Sequence, residues 1–76
     1  ENIIIYPNPA ADEFYIGLPE GRELLGVALY NIRGEKVAET RSAVLSVAHL
    51  AGGVYAAEIR LSGNENIVKK VIISGD

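Results

Sequence analysis

The feature that most constrains this chain is a two-residue rhythm of apolar side chains that restarts after each cluster of turn formers. Tyr55, Ala57, Ile59 and Leu61 fall on one side of an extended segment. Ile67, Lys69, Val71 and Ile73 fall on one side of another, and Val68, Lys70, Ile72 and Ser74 on its reverse. Successive side chains of a strand point to opposite faces, so this pattern describes strands with one face in a core. Strands are expected at 2–6, 13–18, 24–32, 35–39, 43–47, 54–61 and 67–74. In the second, Phe14, Ile16 and Leu18 share a face, with Glu13, Tyr15 and Gly17 opposite. In the third, Leu25, Val27 and Leu29 alternate. Short strands with turns roughly every 8–12 residues predict an all-β fold, a seven-stranded antiparallel immunoglobulin-like β-sandwich.

Helix is excluded on local grounds. Leu45 to Ala51 has some helical spacing, but Gly52-Gly53 and β-branched neighbours limit it to a single turn. The turns are explicit: Pro19-Glu20-Gly21, Arg33-Gly34 as a tight connection, and Ser62-Gly63-Asn64-Glu65-Asn66.

Seventy-six residues make one domain. A chain this short buries about 60% of the surface its unfolded form exposes. It has no cysteine, so neither a disulfide nor a thiolate metal site assists the core. Hydrophobic residues make up 49% of it, enough for packing. The net charge is −3, and of the basic residues only Lys69 and Lys70 adjoin, which argues against a nucleic-acid partner. No apolar run approaches the roughly 20 residues of a spanning helix, so membrane insertion is not expected. Glu1 is not a natural start, and the chain reads as a piece of a longer protein.

Chemistry-bearing residues are sparse. His49 is the sole histidine, and Ser46 near it lacks an elbow or an orienting acid. Asp12 and Glu13 are adjacent and diverge in a strand, a poor acid–base pair. Asn64, Glu65 and Asn66 read as a solvated turn before they read as calcium ligands. No cofactor, metal or catalytic residue is expected.

Three blocks remain. Tyr6-Pro7-Asn8-Pro9-Ala10 is a stiff exit from the first strand. Each proline fixes φ and pushes the preceding residue toward extended geometry, so Asn8 should be held extended with its amide free to bond backbone. Its structural reading is a cap on an edge strand. Leu29 to Val37 reads as strand, turn, strand around Gly34, with Lys36 as an ordinary solvated residue. Leu50-x-x-Gly53-x-Tyr55 has the form of a tyrosine corner, in which the ring enters the core and the hydroxyl returns to backbone upstream. Gly53 should there permit close chain approach. The run Lys69-Lys70-Val71-Ile72-Ile73 completes the third block. Its lysines should point one to each face, and either snorkel or guard an edge.

In this order the blocks resemble the type A C-terminal sorting domains of the type IX (Por) secretion system, which end secreted proteins of the Bacteroidetes. Glu35 between Gly34 and Lys36 is a variant of the family's hairpin. The resemblance covers residues 3–74. It implies a folded address, without activity of its own, for an upstream cargo domain in the same chain. It implies passage through the periplasm, recognition by the outer-membrane translocon, and cleavage by a sortase-like protease upstream of Glu1. The cargo then reaches the cell surface or the medium. Candidate recognition residues are Pro7, Asn8, Pro9, Lys69, Lys70, Val71, Ile72 and Ile73; Gly34, Leu50, Gly53 and Tyr55 are structural. An unpaired terminal strand could also pair with a second copy. Two rivals stand beside this reading: an immunoglobulin-like spacer, and a carbohydrate-binding module. The latter needs several exposed aromatics on one face, and Tyr6, Phe14, Tyr15, Tyr30 and Tyr55 are all the chain has.

Overall fold

The computed structural model describes residues 3–75. It contains β1 (Ile4–Tyr6), β2 (Glu13–Gly17), β3 (Leu24–Tyr30), β4 (Lys36–Thr40), β5 (Val44–Ser46), β6 (Gly53–Leu61) and β7 (Glu65–Ile73). All strand pairs are antiparallel. A three-stranded sheet runs β1-β2-β5, and a four-stranded sheet runs β4-β3-β6-β7. The links β2–β3, β4–β5 and β5–β6 each change sheets, which gives the immunoglobulin-like order expected from the sequence.

The core lies between the sheets. Phe14, Ile16 and Leu45 enter it from one side. Val27, Leu29, Tyr55, Ala57, Ile59, Leu61, Val71 and Ile73 enter it from the other. These are the rows the alternation marked in β2, β6 and β7. Each large apolar side chain buried this way contributes about 1.5–3 kcal/mol. Ile3, Ala10 and Val47, just outside the named strands, also belong to it.

The differences from expectation have local causes. Leu25 is 50% exposed, while Leu24 packs against the core. A bulge between Leu24 and Gly26 opposite β6 resets the phase, so the expected Leu25-Val27-Leu29 row begins at Leu24 instead. β3 stops at Tyr30 rather than Ile32, whose side chain is 85% exposed in the turn. β4 begins one residue later than expected, at Lys36, because Glu35 closes that turn through its carbonyl. β7 begins at Glu65, inside the expected loop, because Leu61 and Glu65 already pair. Arg22 holds Glu65 from the β2–β3 connection. The expected start of the first strand at Asn2 lies outside the described residues, as do Glu1 and Asp76.

Candidate functional site

The first and third sequence blocks, up to 64 residues apart, meet on β7. After β1 the chain bends through Pro7, Asn8 and Pro9, whose preceding peptide bonds at Tyr6–Pro7 and Asn8–Pro9 are cis. This places Asn8 against the outer edge of β7. Its Oδ1 accepts the Ile72 amide at 3.0 Å, and its Nδ2 donates to the Lys70 carbonyl at 3.4 Å. The carboxamide thus occupies the position a neighbouring peptide group would take. Two residues on, backbone takes over. Ala10 N donates to Ile72 O at 2.8 Å, and Ser74 N donates to Ala10 O at 2.8 Å. Ala10 and Ile73 form a parallel bridge. The Pro-Asn-Pro segment therefore does cap an edge, that of the last strand, and it adopts a bend in place of the extended exit expected.

Across the sheet from Val71 stands Tyr55. Its hydroxyl donates to Ala51 O at 2.6 Å, which completes the tyrosine corner. Leu50 packs against the core, and its amide donates to Val47 O at 3.0 Å. Gly53 has a different role from the expected one. A Cβ there would meet nothing within 4 Å, but its φ is +154°, a region that side chains rarely adopt. The close approach occurs one residue earlier. Gly52 lies under Gly75, where an added Cβ would stand 2.6 Å from the Gly52 nitrogen.

The hairpin of the second block is also built differently. Arg33-Gly34 is not a two-residue connection; the loop is organised by Asn31. The Asn31 side-chain oxygen accepts the amides of Arg33 at 2.9 Å and Glu35 at 3.0 Å. Asn31 N donates to Glu35 O at 2.9 Å, and its Nδ2 to Glu35 Oε1 at 2.8 Å. Gly34 takes φ +84°, as expected of a turn glycine. An asparagine at the start of a loop is a known turn former, so the role of Asn31 is legible in the sequence.

On β7 the lysines part as expected. Lys69 is half-buried on the core side with Val71 and Ile73, which are 0% and 1% exposed. Lys70 is exposed on the outer side with Val68 and Ile72. Of the five-residue run, the folded domain therefore exposes Lys70 and Ile72, while Val71 and Ile73 are buried in the core. Pro7, Asn8 and Pro9 are exposed beside them.

The aromatics divide. Phe14 and Tyr55 are in the core and Tyr30 is half-buried. Tyr6 and Tyr15 are exposed on the three-stranded sheet, but they stack on each other with centroids 5.6 Å apart and planes at 21°. Each covers one face of the other. The Tyr15 hydroxyl donates to the Glu13 carboxylate. That bond, and then the carboxylate's charge, hold the phenol above its ordinary pKa.

No curated protein matches the chain. A protein-family model does: the secretion system C-terminal sorting domain matches residues 4–74, from the first residue of β1 to just beyond the end of β7. All three blocks lie inside that match, and the chain belongs to the family of type IX secretion C-terminal sorting domains.

Proposed function

We propose that this domain is the folded export address of a longer secreted protein, read by the outer-membrane translocon of the type IX system. The observation that carries the reading is the convergence of the first and third blocks within a family match of residues 4–74. Pro7 to Pro9 and Lys70 to Ile72 are far apart in the chain and adjacent in the fold, joined by the Asn8 carboxamide. A reader of this surface recognises a folded shape rather than a linear peptide. The cargo upstream crosses the inner membrane by a general route, the domain folds in the periplasm, and its exposed last strand and the Pro-Asn-Pro strap meet the translocon. A sortase-like protease then removes the domain upstream of Glu1 and attaches the cargo to surface lipopolysaccharide. The domain is that protease's substrate and performs no chemistry itself.

The test is transport. Residues 1–76 are fused to the C-terminus of a periplasm-directed fluorescent reporter, in a host with a working type IX system and in a translocon-null strain. Reporter outside the cell in the intact host alone supports the reading. Reporter held in the periplasm of both strains, with the domain folded, returns the account to an immunoglobulin-like spacer.

A further inference from the structure

The outer face of the four-stranded sheet has two unlike halves. One is a linked polar field. Lys36 Nζ lies 3.2 Å from Glu39 Oε1, and Arg60 Nη2 lies 3.8 Å from Glu39 Oε2. The Tyr30 hydroxyl and Asn66 Nδ2 reach the two Glu58 oxygens at 3.4 and 3.5 Å. The other half is apolar around a single charge. Val54, Val68 and Ile72 are 47%, 66% and 40% exposed. The registers Val54↔Ile72 and Ala56↔Lys70 set Lys70 among them. With Ile32 at the rim, Val54, Ala56, Val68 and Lys70 line an open hollow of about 350 Å³.

Two observations say what fits there. First, no carboxylate of the neighbouring strands forms an ion pair with Lys70. Glu39 is held by Lys36 and Arg60, Glu58 lies within 3.4–3.5 Å of the Tyr30 hydroxyl and Asn66 Nδ2, and no ion pair among the described residues includes Lys70. Its charge is complementary to an anion that the described fold does not supply. Second, the adjoining β7 edge at Lys70 and Ile72 is occupied by Asn8 and Ala10, so side chains rather than strand addition carry recognition at this place. We propose that this half-face docks an apolar surface of the translocon that bears one carboxylate, paired to Lys70. The proposal rests on the export reading above and names the chemistry of its reader.

A competing role for Lys70 is that of a solubilising charge on an apolar face. The two roles separate by sign. A solubilising lysine is replaceable by glutamate, whereas a lysine that meets a carboxylate is not. The experiment uses the reporter fusion in the intact type IX host, with each variant's thermal melt confirming that it folds. Lys70→Arg should keep export within about twofold, and Lys70→Glu should lower it about tenfold or more, as like charges meet at the interface. Val68→Asn should also lower export, and Lys36→Glu on the polar half should leave it unchanged. Selection for restored export of the Lys70→Glu fusion should return acidic-to-basic changes in a translocon subunit. Full export by Lys70→Glu overturns the proposal and leaves the export reading intact. An unmodified domain that is not exported overturns both. A self-associated domain that Lys70→Glu disperses in sedimentation, with its export unaffected, assigns the face to a second copy and overturns the translocon as its occupant.

Discussion

Asn8 gives the sharpest single-residue prediction, because one side-chain oxygen accounts for the protection of one amide. The Ile72 amide points away from β6, at the outer edge of the sheet, and its partner is Asn8 Oδ1 at 3.0 Å. That length is ordinary for a good N–H···O bond, whereas the 3.4 Å bond to the Lys70 carbonyl lies beyond that range and adds little. Asn8→Ala therefore removes about one effective hydrogen bond, or about 1 kcal/mol. A domain of this size should lose about 4–8 °C in Tm. In amide hydrogen exchange, Ile72 should lose protection about fivefold more than Val71, whose amide faces β6. Asn8→Asp is the control. It keeps an acceptor for Ile72 and loses the donor to Lys70, so Ile72 should stay protected while the strap is loosened only slightly. Equal protection of Ile72 in wild type and Asn8→Ala would refute the claim that this carboxamide stands in for a strand.

Four other substitutions follow from named contacts and backbone angles. Tyr55→Phe deletes the 2.6 Å bond to Ala51 and should cost about 1–1.5 kcal/mol in urea denaturation; an unchanged midpoint would reduce the corner to ring packing alone. Gly53→Ala, strained by φ +154°, should cost about 1–3 kcal/mol although no atom obstructs the new methyl, and Gly75→Ala should cost a similar amount for the opposite reason, a clash with the Gly52 backbone. Tyr15 carries a pH dependence. Its folded pKa is raised, so the stability it lends is fully present below its ordinary value near 10.0 and is lost as pH rises through the raised value. Ultraviolet titration should show one late-ionising phenol that Glu13→Gln returns toward normal, and no change on that substitution would contradict the assignment.

What was legible in the sequence follows from what each element depends on. The faces of β2, β6 and β7 depend only on which side meets the core, so a two-residue period reveals them. The hydroxyl return of Tyr55 is equally local, four residues from its acceptor. The bulge at Leu25 was not readable, because it is set by pairing with β6 across more than 30 residues of chain and Leu24 and Leu25 are the same residue type. The task of Asn8 was half readable: two flanking prolines promise a fixed amide, but nothing local says that its partners are Lys70 and Ile72. A conformational demand and a close approach leave the same mark in a sequence, and here Gly53 carries the first and Gly75 the second. The candidate lysines divided by face as the alternation requires, while the neighbourhood of Lys70, with Ile32 from a distant turn, exists only in the fold.

The central claim is that the signal is a surface assembled by folding. Its most direct test is export measured against folded fraction. Phe14 is fully buried and remote from β7's outer face, so Phe14→Ala removes core packing worth about 3–5 kcal/mol while leaving the recognition residues chemically intact. The reporter fused to wild-type or Phe14→Ala residues 1–76 is quantified outside the cell relative to its periplasmic pool, with each domain's folded fraction determined separately. The account predicts that export falls in proportion to the folded fraction. Undiminished export of a largely unfolded Phe14→Ala domain would contradict it and return the signal to a linear segment of the chain.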